Sequence, residues 1–140
     1  MEVRCKKIRG VRLACWIAFK GSRNEVTLPF KSNAPVSGER EFETEADIWD
    51  EVNAFCDHIP KLNKGRKDGK QITVGQELYY NQFCHHKYLT EEWMFNLVYD
   101  INNSMALEIP IASNLQDCPI RIEDYGAFIK EEIQAIRNGN

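Results

Sequence analysis

Residues 11–20 read Val11-Arg12-Leu13-Ala14-Cys15-Trp16-Ile17-Ala18-Phe19-Lys20, and the placing of the sheet turns on this run. Val11, Leu13, Cys15, Ile17 and Phe19 alternate with Arg12, Ala14, Trp16, Ala18 and Lys20. A period of two predicts a strand with the first set on one face. The other face carries Ala14, Trp16 and Ala18 between charged ends, so partial cover is expected there as well. Gly21-Ser22-Arg23-Asn24 supplies turn chemistry, and Val26, Leu28 and Phe30 alternate again. The pair predicts an N-terminal β-hairpin. Pro29 cannot donate to a ladder, which assigns the second strand to an edge or a bulge.

Beyond the hairpin the pattern changes to helical spacing. Thr44 is placed to cap a helix, with Glu45 and Asp47 in its positive first turn. Ile48, Val52, Phe55 and Ile59 then recur every three or four residues up to Pro60. Residues 61–70 are polar and contain glycine, and read as a flexible basic loop. Gln71–Val74 is a candidate short strand, and Gln76–His86 a candidate helix. Thr90–Ile101 repeats Trp93, Leu97 and Ile101 at four-residue spacing, with Thr90 as its cap. Ala106–Ile111 reads as a strand, and about Glu123 to Asn138 as a final helix. The expected fold is α+β. A small, mostly antiparallel sheet with the N-terminal hairpin packs against three to four helices.

The 140 residues are 43% hydrophobic and 28% charged, enough apolar material for one core and too much for a disordered chain. With no repeat and no internal linker, residues 1–140 are read as a single domain. The start, Met-Glu-Val-Arg-Cys-Lys-Lys, lacks the apolar run of a signal peptide. No run reaches the length of a membrane span. The five cysteines are odd in number and lack a framework spacing, so a cytoplasmic location with reduced thiols is expected.

Net charge is only −3, but the charges are segregated. Residues 1–32 hold eight Lys and Arg against two acids, and residues 33–60 hold one against eight. Residues 61–70 return to five against one, and residues 71–140 hold four against ten. Within the acidic block Glu39, Glu41, Glu43 and Glu45 occupy every second position. An extended chain over 39–43 would line up three carboxylates about 6.6 Å apart on one face. Asp47, Asp50 and Glu51 continue the acidic run along the following helix, with Trp49 among them as a candidate aromatic anchor. Such a row has two explanations. It is a solvated or internally paired strand edge, or it faces a basic partner.

Other chemistry finds less footing. Cys56-Asp57-His58 and Cys84-His85-His86 invite zinc, but a Cys-x-His pair on a helix points its two side chains apart. No metal or cofactor is expected. Glu77, Tyr79, Tyr80 and His85 form at most a weak acid–base set, and no phosphate-cradling or nucleophile motif occurs. No catalytic residue is assigned. The function expected from the residues is a non-enzymatic protein-interaction module, an inhibitor or immunity-type protein. Its docking residues would be Glu39, Glu41, Glu43, Asp47, Trp49, Asp50 and Glu51, set against a basic protein surface such as that of a nucleic-acid-processing partner. The alternative is a nucleic-acid-binding protein or small enzyme using Cys84-His85-His86 and the 61–70 loop. A pI near 5.7 weighs against nucleic acid.

Overall fold

The computed structural model describes residues 2–59, 72–107 and 122–138. In chain order these form α1 (Glu2–Lys20), β1 (Phe30–Ala34), β2 (Gly38–Phe42), α2 (Glu45–Cys56), α3 (Val74–Tyr80), a 3₁₀ turn (His86–Tyr88), α4 (Glu92–Leu107) and α5 (Ile122–Arg137). The fold is a small α+β domain, with five α-helices and one two-stranded antiparallel sheet among the described residues. The basic loop expected at 61–70 lies outside the described residues, as does most of the strand expected at Ala106–Ile111. Ala106 and Leu107 themselves belong to α4.

The expected hairpin over Val11–Phe30 is not formed. Residues 2–20 are one helix of 19 residues, and the strands lie further on, at Phe30–Ala34 and Gly38–Phe42. The physical reason lies in the burial of α1. Val11 through Ile17 are buried at every position, odd and even alike. A helical stretch covered on all sides loses the 3.6-residue stripe that marks a surface helix, and its residual alternation imitates a strand. The helix sits centrally, with α3, α4 and α5 packed around it. Of the candidate strand at Gln71–Val74, Gln71 lies outside the described residues and the rest leads into a helix. Thr73 caps α3, its hydroxyl accepting from the Gln76 N–H at 3.1 Å.

The central helix carries one charged side chain into this core. Arg12 Nη1 meets Glu132 Oε2 on α5 at 2.6 Å. The same carboxylate accepts from Trp16 Nε1 at 2.8 Å, from Thr73 Oγ1 at 2.5 Å and from the Gly75 N–H at 3.1 Å. Glu132 is fully buried, and its four partners tie α5 to α1 and to the start of α3. Arg12 is further held by Glu131 at 3.3 Å and lies 4.6 Å from the Phe128 ring centroid. Burial opposes the guanidinium charge, but the two glutamates outweigh it and hold the pKa above its ordinary value.

The sheet is a hairpin in register Phe30↔Phe42, Lys31↔Glu41, Ser32↔Arg40, Asn33↔Glu39 and Ala34↔Gly38. Its turn closes at Gly38 with φ of 72°, a conformation that favours glycine. Phe42 is fully buried and stacks on Phe30 and on Phe83, each at 5.0 Å between centroids. These rings join the hairpin to the core.

Candidate functional site

The hairpin and the helix after it carry the acidic run. Thr44 is the N-cap of α2, as its position before Glu45 and Asp47 predicts. Its Oγ1 accepts from the Asp47 N–H at 3.3 Å, and Asp47 Oδ2 accepts from the N–H groups of Glu43 at 3.0 Å and Thr44 at 3.1 Å. This reciprocal capping box fixes the angle at which β2 runs into α2. The hydrogen bonds from the Glu43 and Thr44 backbones lower the Asp47 pKa, and Arg40 at 3.9 Å adds to the effect. Asp47 is therefore a structural cap as well as a surface charge.

Glu51 departs from the expected docking set. It is 1% exposed, and its carboxylate points at the hairpin tip. Oε2 accepts from the N–H groups of Val36 at 2.6 Å and Ser37 at 3.0 Å. Oε1 accepts from Ser37 Oγ at 2.5 Å and from Arg40 Nη1 at 3.3 Å. Burial works against the charge, but the bonds from Ser37, Val36 and Arg40 prevail and lower the pKa. A buried side chain with four internal donors offers nothing to a partner. Its spacing from Ile48 and Val52 already puts it on the inward face of α2, a signal that charge counting passes over.

The remaining acids divide into two groups. Glu39 pairs with Lys31 at 3.4 Å, an exposed contact of the kind that contributes little. Lys31 also stands directly across from Glu41 in the register. The acidic run is thus not free of internal cations, since Lys31 pairs with Glu39, and Arg40 with Asp47 and Glu51. Glu41, Glu43, Glu45 and Asp50 are exposed, and none of the four forms an ion pair among the described residues. Trp49 is half-buried, with Lys6 Nζ 5.5 Å from its ring centroid. It lines a cleft of about 420 Å³ between α1, α2 and the segment leading into α4.

Of the groups behind the alternative reading, the 61–70 loop lies outside the described residues, and those described are each held in local contacts. Cys84 is buried and its thiol is pushed up to about 12 by desolvation. Burial also raises Cys56, to about 11, and raises Cys15. Thiols so protonated are weak nucleophiles. His85 Nδ1 accepts from the Lys87 N–H at 2.9 Å and caps the 3₁₀ turn. His86 Nδ1 hydrogen-bonds Thr90 Oγ1 at 3.2 Å, and that hydroxyl donates to the His86 carbonyl at 2.9 Å. Thr90 therefore closes the 3₁₀ turn that precedes α4. Tyr79 donates its hydroxyl to the Gly21 carbonyl at 2.9 Å, while Glu77 accepts from Asn81 Nδ2 at 3.0 Å. Among the described residues no cluster of three His, Cys, Asp or Glu could hold a metal ion. No described helix is long and apolar enough to cross a membrane.

Compared with protein-family models, curated proteins and solved structures, the chain matches none.

Three of these groups set the pH response. Burial and the neighbouring His85 lower the His86 pKa, and hydrogen bonds lower those of Asp47 and Glu51. A lowered folded pKa gives stability that is complete above the unfolded value and is lost as pH falls through the folded one. Thermal midpoints should therefore hold near neutral pH and begin to fall below about 6.5, where the unfolded histidine takes up a proton. A second decline should start below about 4.3 as the carboxylates protonate. Melts of His86→Gln should lack the first step and keep the second. A midpoint unchanged from pH 7 to about 3 would contradict both assignments.

Proposed function

We propose that this chain is a non-enzymatic protein-interaction module, an inhibitor or immunity-type protein that docks an acidic edge on a basic, nucleic-acid-processing partner. The observation carrying this reading is the run Glu41, Glu43, Glu45 and Asp50, four exposed carboxylates without an ion pair among the described residues. They sit on a hairpin and helix joined by a capping box, so the edge is held in one shape before any partner arrives. Preorganised charge of one sign steers and orients a partner of the other sign. Trp49 beside the edge supplies an aromatic group of the type that anchors interfaces. Asp47 contributes charge from within its cap, and Glu51 contributes by holding the hairpin tip rather than by contact.

The test separates the surface from the fold. Reversal of Glu41, Glu43 and Glu45 to Lys removes three exposed charges that accept no hydrogen bond among the described residues, so the thermal midpoint should move little. Affinity purification from the native host with the unaltered chain should recover a basic nucleic-acid-processing protein. The triple variant should lose it, and recovery by the unaltered chain should weaken steeply with added salt. Equal recovery by the two chains would remove the acidic edge as the docking site.

A further inference from the structure

We propose that the cleft beside Trp49 binds a small phosphate monoester, held by the ammonium groups of Lys6 and Lys87. The site borders the acidic edge and shares Glu45 and Trp49 with it, but its reading does not depend on the docking function. Lys6 and Lys7 enter the cleft from α1, and Lys87 enters from the 3₁₀ turn on another wall. A volume of about 420 Å³ falls within the range of small-molecule sites. Lys6 Nζ rests 5.5 Å from the indole centroid of Trp49, and Lys87 Nζ rests 5.3 Å from the ring of Tyr88. Rings under the ammonium groups hold them at the cleft without neutralising them. The backbone of Lys87 is itself fixed, its N–H donating to His85 Nδ1.

Glu45 and Glu91 also line this cleft, but neither forms an ion pair with Lys6 or Lys87. The ion pairs among the described residues are made by Arg12, Lys31 and Arg40. Among the described residues Lys6 and Lys87 make no ion pair, which leaves them to meet an anion from outside. A phosphate monoester carries close to two negative charges at neutral pH and matches two ammonium groups. The same two glutamates set the size of the ligand. Duplex DNA carries a charge about every 1.7 Å of its axis and would press further phosphates against Glu45 and Glu91. A single monoester meets only the lysines.

The experiment is calorimetric titration of the full chain with AMP, inorganic phosphate and adenosine at low salt. AMP should bind saturably, one per chain, with Kd below about 1 mM, and adenosine should give no heat. Phosphate binding as tightly as AMP would support the same site. K6E and K87E should each weaken AMP binding by about tenfold or more, and K130E, at an exposed position of α5, should leave it unchanged. In the unaltered chain AMP should shift the Trp49 indole N–H resonance, a readout that stands even if the variants fold poorly. Silence from both AMP and phosphate would overturn the proposal. So would adenosine binding as well as AMP, an equal loss in K130E, or no shift at Trp49.

Discussion

Glu132→Ala is expected to destabilise the protein by about 3–5 kcal/mol, the range for breaking a buried ion pair from one side. The carboxylate is fully buried and accepts from Arg12, Trp16, Thr73 and the Gly75 backbone. Removing it leaves one guanidinium with Glu131 as its remaining ion-pair partner and three neutral donors without an acceptor in the core. Each of those donors carries a desolvation cost that water cannot relieve. Glu132→Gln retains an acceptor and the shape but loses the charge, so its loss should be smaller. Glu131→Ala supplies the control, because its side chain is 57% exposed and touches the same arginine from solvent. It should change stability by about 0.5 kcal/mol or less. Urea unfolding at constant slope measures all three. Equal midpoints for Glu131→Ala and Glu132→Ala would show that the buried carboxylate does not organise the core.

Gly10→Ala is expected to destabilise by about 1–3 kcal/mol, the cost of overpacking, although alanine favours helices. Gly10 lies within α1, where the helix crosses the end of the 3₁₀ turn and the start of α4. A Cβ there would run into the backbone carbonyl of Leu89, and would lie 2.8 Å from Met94 Cε and 2.9 Å from Met94 Sδ. The methionine can move, but the carbonyl oxygen cannot without shifting the turn. Gly126 in α5 provides the opposite case. Its Cβ would meet only Ile101 Cδ1, at 3.8 Å, which is ordinary contact. Gly126→Ala should therefore stabilise by about 0.5–1 kcal/mol through helix propensity. Thermal or urea midpoints should move in opposite directions for the two variants. A Gly10→Ala chain as stable as the parent would mean that α1 does not pack so closely on Leu89.

Local chemistry was legible wherever a signal and its cause lie within a few residues. Thr44 and Asp47 identify the start of α2 because a cap is made by neighbours three positions apart. The apolar spacing of Phe128, Ile129, Ile133 and Ile136 marks α5 because one face of that helix meets solvent. Its expected span of about Glu123 to Asn138 agrees with Ile122–Arg137 to within a residue. The α+β class follows from such elements even though the hairpin stands at Phe30–Phe42 and not at Val11–Phe30. Pro29 directly precedes β1, which agrees with a proline confined to a strand's margin.

By itself, the sequence determined that one core would form, that α2 and α5 would be helices, and that an acidic run would cross from an extended segment into a helix. Only the tertiary structure decided that residues 11–17 are a central helix, because a segment covered on every side carries no stripe to reveal its period. Only it decided that Glu51 and Glu132 are internal anchors while Glu41, Glu43, Glu45 and Asp50 stay outward. The partners of Glu132 lie 57 to 120 residues away along the chain, and pairing at that distance is set by packing rather than by any local pattern.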